Sequence, residues 1–291
     1  MQEFIEFTLE GISSGMIYAA IALSLVLIWR GTRILNYAQG GTAMFTAYVA
    51  LEVIYLTRNY WLGFGAALLA GLLLGAVLER TIIRPVTGKP PLNAVIVTIG
   101  LLIFIEGLAG VIYGASFRSF PFAYSVRGLS IGSVALGITR NDIFTASAVL
   151  IAALALAAVF RFTSVGLRMR ATAFNASVAR LLGVRVGRMR NLGWALAGLI
   201  GALAGMLVTP PQLYPNSMDA IFVLGFTAAV IGGLESPVGA VIGGLLLGVV
   251  LSYAGGYLGA QLVQVFGLAA LILVLMVRPT GLFSATAIRQ V

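Results

Sequence analysis

Long apolar runs are the feature that most constrains how this chain can fold. Of its 291 residues, 60% are hydrophobic and only 9% are charged, and the mean hydropathy is +1.05. Runs of ~20 apolar residues can cross the ~30 Å hydrocarbon core of a bilayer as helices, because a helix satisfies its backbone groups internally. The pattern therefore predicts an all-α integral membrane protein. We expect a polytopic bundle of eight or nine transmembrane helices, built as a single domain from residues 1–291.

Nine candidate spans can be drawn along the sequence. The second is short and lies close to the third, so eight spans with one re-entrant or broken segment is an open alternative. The residues before the first run include three acids and no cation, whereas a cleavable signal peptide begins with a basic region. We therefore predict that the first span is retained. The nine candidates cover residues 12–29, 42–57, 61–78, 92–113, 142–160, 191–209, 217–234, 238–255 and 260–277.

The cations are distributed unevenly between the two ends of these spans. With nine crossings and the C-terminus inside, 14 of the 18 Lys and Arg residues lie on one side and 4 lie on the other. Loops rich in Lys and Arg stay in the cytoplasm. This asymmetry predicts a cytoplasmic C-terminus, and an odd count of nine spans would then place the N-terminus outside. It also explains the net charge of +9 without any binding of nucleic acid.

A basic segment lies between the fifth and sixth spans. Residues 161–190 contain seven arginines and no acid. Within them, apolar side chains recur at helical spacing from Ala171 through Phe174 and Val178 to Leu181, and Gly183 is placed to end the helix. Twelve residues span about 18 Å, too little to cross a bilayer. We predict a helix at the cytoplasmic surface, which either docks on a motor subunit or is held by anionic lipid.

Polar residues near the membrane mark a possible pathway. The turn NYAQGG, residues 36–41, suits a re-entrant turn that lines a cavity, although an ordinary cytoplasmic turn is the simpler interpretation. Thr98 and Gly100 open the fourth span, where small residues either line a path or allow close packing of helices.

Three acids fall within or beside the predicted spans. Glu79 adjoins Arg80, which predicts a surface ion pair. Glu52 and Glu106 lie in the outer parts of the second and fourth spans. Ionisable groups at such depth are costly and are retained for pairing or for a transport path, and both alternatives stay open here.

Two further patterns carry structural predictions. The loop at residues 114–141 has alternating and turn-forming residues that predict a short hairpin. GLLLGAVLE at 71–79 and GLLLGVVLS at 244–252 agree at seven of nine positions, which is either an internal repeat or a chance match of glycine-rich and leucine-rich sequence.

Several kinds of chemistry are excluded by composition. The chain contains no Cys and no His, so a disulfide framework, the usual zinc sites and His- or Cys-based catalysis are not expected. We predict no catalytic residues, no metal and no cofactor. The phosphate-loop pattern GxxxxGK[ST] is absent, so any ATP that drives the protein is bound by another chain. An ion-coupled secondary transporter of a small polar solute and an intramembrane enzyme are the rival classes.

Several motifs, in order, connect the chain to a known family. They are GISSGMIYAAIALSLVLIWRGTRILNYAQG at 11–40, ERTIIRP at 79–85, VTIG at 97–100, GLRMRATAFNASVARLLGV at 166–184, GGLESPVGAVIGGLLLG at 232–248 and RPTGLF at 278–283. Together they resemble the LivH-like permeases of bacterial branched-chain amino-acid ABC importers, nearly end to end. The chain departs from that pattern at Gln39, where His is usual, at Glu106, where a neutral amide is common, and in having no acid near Phe174 and Asn175.

The resemblance implies a permease subunit in the bacterial inner membrane. Its expected partners are a second permease chain similar to LivM, two ATP-binding cassette subunits, a periplasmic solute-binding protein and membrane lipid. Urea, amides and other small solutes are alternative substrates within the family. The expected coupling residues, within the segment 166–184, are Gly166, Arg168, Arg170, Ala171, Ala179, Leu182 and Gly183; the expected pathway residues are Asn36, Gln39, Gly40, Thr98, Gly100 and Glu106.

Overall fold

Helices make up nearly all of the architecture in the computed structural model, which describes residues 2–131, 134–209, 212–278 and 280–283. The predicted cytoplasmic C-terminus, residues 284–291, lies outside these described residues. In chain order the α-helices are α1 (Gln2–Thr32), α2 (Gln39–Thr57), α3 (Tyr60–Leu78), α4 (Arg84–Val86), α5 (Pro91–Tyr113), α6 (Arg140–Phe162), α7 (Ser164–Phe174), α8 (Ala176–Leu181), α9 (Val186–Val208), α10 (Asp219–Gly232), α11 (Pro237–Leu258) and α12 (Val263–Val277). A π-helical turn (Glu79–Ile83) joins α3 to α4, and a 3₁₀ turn (Ala260–Leu262) precedes α12.

Eight helical segments in the described part of the chain are long and apolar enough to cross a membrane. They confirm the predicted fold class. The one candidate that does not reach this length, at 217–234, appears as α10, which has 14 residues and is therefore only ~21 Å long. The shortened segment is thus the seventh candidate. The second candidate, whose apolar run looked short, is a 19-residue helix that begins at the polar residue Gln39.

Close crossings of glycine-bearing helices form the centre of the bundle. A Cβ atom on Gly75 of α3 would lie 2.1 Å from the carbonyl oxygen of Trp194 in α9. A Cβ atom on Gly248 of α11 would lie 2.3 Å from the carbonyl oxygen of Gly11 in α1. Neither crossing leaves room for a side chain, so backbones meet directly as they do in tightly packed membrane helices. Gly75 and Gly248 occupy matching positions in the two copies of the internal sequence match, which therefore serve the same purpose.

The two ends of the bundle differ in structure. One end carries α7 and α8 and most of the arginines, and is hereafter the basic face. The opposite face carries two antiparallel strand pairs. The predicted hairpin is present, because β2 (Gly128–Ile131) pairs with β3 (Val134–Thr139), although its turn at 132–133 lies outside the described residues. The second pair joins β1 (Arg118–Ser119) to β4 (Gln212–Leu213).

Glu79 is buried, so the predicted surface ion pair with Arg80 is wrong. The Glu79 side chain is 1% exposed, and Arg84 donates to both of its carboxylate oxygens, from Nε at 3.2 Å and from Nη2 at 2.7 Å. Asn191 of α9 donates to the same carboxylate from Nδ2 at 2.9 Å. The π-helical turn that begins at Glu79 accompanies this arrangement and leaves Arg80 exposed. A buried carboxylate needs such partners, and this one ties the end of α3 to α9.

Candidate functional site

The polar turn before α2 lies deep inside the bundle. Gln39 Nε2 donates to the carbonyl oxygen of Ala197 at 3.1 Å, and Ala197 is the twelfth of the 23 residues of α9. Asn36 Nδ2 donates to Gln39 Oε1 at 2.9 Å, while Asn36 Oδ1 accepts from the Ala38 N–H at 3.1 Å. Asn36 and Gln39 are both buried. The chain therefore re-enters the bundle after α1, and α2 begins near half depth rather than at the surface.

Helix α10 also begins within the thickness of the bundle. Asn216, three residues before its first residue, donates from Nδ2 to Glu106 Oε2 at 3.1 Å and approaches Asp219 Oδ2 at 3.4 Å. Glu106 lies in the second half of α5. These three residues, Glu106, Asn216 and Asp219, are hereafter the acidic cluster. Asn216 and Asp219 are exposed, and Glu106 Oε1 is buried with no hydrogen bond among the described residues.

Three aromatic rings lie between the starts of α2 and α10. They belong to Tyr37, Phe222 and Phe226 and are hereafter the aromatic wall. Tyr37 lies 6.5 Å from Phe222 and 6.1 Å from Phe226, measured between ring centroids. Phe222 also covers Gly40, where an added Cβ would be 3.0 Å from the Phe222 Cβ. A larger residue than glycine at position 40 would thus press on this wall. Through these ring contacts, the re-entrant turn packs against the short helix α10.

Thr98 and Gly100 occupy unlike environments at the start of α5. Thr98 is 0% exposed, and its hydroxyl donates to the carbonyl oxygens of Val95 at 3.0 Å and Leu35 at 3.4 Å. Gly100 is exposed, and a Cβ there would meet nothing within 4 Å. Thr98 therefore has no free surface to offer a solute. Gly100 lies on an open helix face.

The predicted surface helix is broken in two. Instead of one helix over 171–182, α7 ends at Phe174 and α8 begins at Ala176, with Asn175 in an extended conformation between them. The Asn175 side chain accepts from the backbone N–H groups of Ser177 and Val178, both at 3.0 Å. Asparagine is a strong helix N-cap, and this local preference explains the break that apolar spacing alone did not predict.

Gly183 ends the segment as predicted. It has a positive φ of 78°, and the N–H of the next residue, Val184, donates to the carbonyl oxygen of Ala179 at 3.0 Å. This left-handed glycine closes α8 and turns the chain toward α9.

The residues of the expected coupling segment, 166–184, differ in exposure. Phe174, Leu181 and Leu182 are 85%, 87% and 76% exposed, which leaves an apolar surface uncovered at the basic face. Gly166 and Ala179 are buried against the rest of the chain. Arg168, Arg170 and Gly183 are exposed and Ala171 is half-buried.

Sequence reasoning missed two members of the acidic cluster. Asn216 and Asp219 precede an apolar run and look like ordinary loop residues. The available signal was that Asp219 stands at the start of a run with no room for a full span before Gly233. Glu52, the other candidate acid, pairs with Arg118 at 2.6 Å near the opposite face. No group of acids suitable for holding a metal ion occurs among the described residues.

Comparisons with known proteins place this architecture in a family. The family described as branched-chain amino acid transport system / permease component matches residues 7–276. The high-affinity branched-chain amino acid transport system permease protein LivH of Salmonella typhimurium is 31% identical, over 99% of this chain and 98% of its own length. BraD of Pseudomonas aeruginosa, also a high-affinity branched-chain amino acid transport system permease protein, is 26% identical over 99% and 98%. The ribose import permease protein RbsC of Escherichia coli K12 is 26% identical over 79% and 71%.

The chain therefore belongs to the family of branched-chain amino acid transport permeases. It is a multi-pass membrane protein and the permease subunit of an ABC importer, a transport component and not an enzyme. The resemblance noted from the motifs is confirmed.

Proposed function

We propose that this permease imports branched-chain amino acids across the bacterial inner membrane, with its basic face and C-terminus in the cytoplasm. It works beside a second, LivM-like permease chain. A periplasmic binding protein delivers the substrate at the opposite face, and two ATP-binding subunits drive the change between outward and inward access. The family membership and the charge asymmetry between the two faces support this proposal.

The uncovered apolar surface on α7 and α8 carries the docking part of the proposal. Phe174, Leu181 and Leu182 are large and apolar and lie on the face richest in arginine. Exposed apolar residues of this kind, rimmed by polar ones, mark protein interaction sites. An ATP-binding subunit that covers them would bury the three side chains, while Arg168 and Arg170 would flank the contact.

The two helix starts inside the bundle support the pathway part of the proposal. The N-terminal end of a helix carries a partial positive charge, and broken helices in transporters direct such ends at anionic groups of the substrate. In our proposal, the start of α2, which Asn36 and Gln39 hold in position, attracts the substrate carboxylate through its partial positive charge. The acidic cluster attracts its ammonium group. The aromatic wall meets its apolar side chain.

Reconstitution tests this function directly. The complex is isolated through a tag on this chain, its partners are identified by mass spectrometry, and it is placed in liposomes with ATP inside and binding protein outside. We expect ATP-dependent uptake of leucine. Leu181→Asp should lower uptake and ATP hydrolysis roughly ten-fold, because a charge at a buried interface anchor costs more than ~1 kcal/mol.

A matched control separates docking from general damage. Leu92→Asp places the same charge on an exposed leucine in the first turn of α5, at the same face, where an acid is compatible with the helix start. This variant should keep normal uptake. Equal loss in both variants would remove the docking surface from the proposal, and uptake that follows an ion gradient without ATP would replace the importer by a secondary transporter.

A further inference from the structure

A cavity of about 460 Å³ opens at the basic face, apart from the acidic cluster and the aromatic wall. It lies between the end of α1, the second half of α7, the turn that joins α10 to α11, and Phe283. Its size falls within the ~300–1,000 Å³ typical of small-molecule sites. Four charged residues line it: Arg30, Arg33, Arg170 and Glu235.

The charged residues of the cavity leave both positive and negative groups available to a ligand. Arg33 donates from Nη1 to Glu235 Oε1, and Glu235 Oε2 receives no hydrogen bond from any described residue. Arg30 lies over the ring of Phe160, with 4.7 Å between its Cζ and the ring centroid. Neither Arg30 nor Arg170 forms an ion pair with a described residue. The cavity therefore presents two guanidinium groups and one carboxylate oxygen with capacity for a ligand.

The remaining walls are mostly apolar. Ala173 and Phe174 belong to α7, Pro237 opens α11, and Phe283 closes the remaining side. Phe283 is held in place because its N–H donates to the carbonyl oxygen of Gly232 at 3.2 Å. A ligand that fits this lining has an apolar body as well as charged groups.

We propose that this cavity binds a zwitterionic amino acid with an apolar side chain. The carboxylate would pair with Arg30 and Arg170, the ammonium would pair with Glu235 Oε2, and the side chain would pack against Ala173 and Phe283. Guanidinium groups are well suited to planar carboxylates. A phosphate or other simple anion would gain nothing from the apolar walls and would be repelled by Glu235, so the amino acid fits the lining better.

Such a ligand would regulate transport from the inside. It would touch α1, the turn between α10 and α11, and the α7 segment that carries the proposed docking surface. A ligand that favours one conformation of elements which move relative to one another shifts the equilibrium toward that conformation. We therefore infer that the imported amino acid, once it accumulates in the cytoplasm, binds here and slows further import. The choice of leucine as ligand rests on the proposed function.

Direct binding is measured first. The purified complex, without binding protein or nucleotide, is titrated with radiolabelled leucine. Glu235→Gln keeps an acceptor for Arg33 but removes the charge that pairs with an ammonium, and we expect it to weaken binding roughly ten-fold. Glu3→Gln, an exposed carboxylate at the N-terminus, is the matched control and should bind like the wild type. A loss caused by Glu106→Gln and not by Glu235→Gln would assign the bound leucine to the pathway and overturn the proposal.

Analogues of leucine test the zwitterion. Compounds that lack either the ammonium or the carboxylate should compete poorly, and inorganic phosphate should not compete. If phosphate or the compound without an ammonium competes as well as leucine does, the cavity is a simple anion site and the proposal is wrong.

Regulation is measured in nanodiscs with binding protein saturated by leucine. Additional free leucine should lower ATP hydrolysis by roughly five-fold or more in the wild type, in the usual range of coupling between sites. The Glu235→Gln complex should keep its basal activity and lose this inhibition. Uptake of leucine without any inhibition would overturn the regulatory inference alone. Binding of leucine that depends on Glu235, in a complex that does not import leucine, would support the cavity and reject the proposed function.

Discussion

Two polar groups stand at the starts of two helices inside the same bundle, and they differ in how fully they are bonded. Around α2, the side chains of Asn36 and Gln39 are buried and bond to each other and to the backbone. Around α10, Glu106 and Asp219 share one amide donor, and the cluster reaches the surface. Every side-chain oxygen and nitrogen of the first group has a hydrogen-bond partner, whereas the second group retains an unpaired carboxylate oxygen.

This difference in hydrogen bonding distinguishes a structural role from a transport role among polar residues that look alike in sequence. A buried polar group whose bonds are all internal stabilises one conformation, since breaking any bond leaves an unsatisfied partner. A partly exposed acid with free bonding capacity is available to a ligand. We therefore propose that Asn36 and Gln39 position the start of α2, and that the acidic cluster contacts the transported solute.

The largest loss of stability is expected when the hydrogen bond of the Gln39 amide is disturbed. In Gly201→Ala, the new Cβ would lie 2.0 Å from Gln39 Nε2 and would force that amide off the carbonyl oxygen of Ala197. The buried Gln39 amide then loses its acceptor, while the Ala197 carbonyl keeps its helical partner in α9, which costs about 1–3 kcal/mol. The free energy of unfolding, measured by tryptophan fluorescence of the protein in mixed micelles, should fall by that amount.

Gly100→Ala is the matched control for this substitution. It adds the same methyl group to a membrane helix, but at a position where nothing lies within 4 Å. Its stability should equal that of the wild type, or rise slightly because alanine favours helix. Equal stability of the two variants would show that the Gln39 amide is not held as tightly as we infer.

A smaller effect, and of a different kind, is expected at the acidic cluster. Glu106→Gln preserves shape and keeps an acceptor for Asn216 but removes one negative charge. If the cluster attracts the ammonium of the solute, uptake should fall roughly ten-fold, the equivalent of ~1.4 kcal/mol, while the unfolding free energy stays close to that of the wild type. Leucine uptake into proteoliposomes and unfolding in micelles are measured on the same preparation.

Glu52→Gln serves as the comparison for the cluster. Glu52 is another acid in a membrane helix, but its carboxylate is paired with Arg118 at 2.6 Å near the opposite face. Glu52→Gln should therefore leave uptake nearly unchanged. A similar decrease in both variants would mean that overall negative charge, rather than the cluster, draws the solute to the protein.

The sequence was sufficient for the fold and only partly sufficient for the site. Spans follow from apolar runs, because the bilayer imposes a minimum length that local sequence reveals. Gly183 ends its helix as expected, because a left-handed position depends on the residue itself. The break at Asn175 was missed because helical spacing and N-cap preference competed there, and the cap prevailed.

Long-range contacts account for what the sequence did not reveal. Glu79 meets Arg84 and Asn191 rather than its neighbour Arg80, since the π-helical turn and α9 decide which side chains meet. Asn216 and Asp219 join Glu106 across more than a hundred residues of chain. No pattern along one segment encodes such a contact, so the acidic cluster could be found only from the packed helices.

The smallest loss of stability is expected at Thr98. This residue is a further example of a buried polar group that is hydrogen-bonded, in contrast to the acidic cluster. Its hydroxyl is buried and donates to backbone carbonyl oxygens at 3.0 and 3.4 Å, both weak or shared contacts. Thr98→Val keeps the shape and removes these bonds, and the Val95 carbonyl can retain its helical partner. We expect a loss of about 0.5–1 kcal/mol in stability and no change in uptake. Thr98→Ser is the control, because it keeps the hydroxyl and loses a methyl group. Should Thr98→Val reduce uptake while Thr98→Ser does not, the hydroxyl acts on the solute in another conformation of the pathway, and burial in this one is not a sufficient criterion for a structural role.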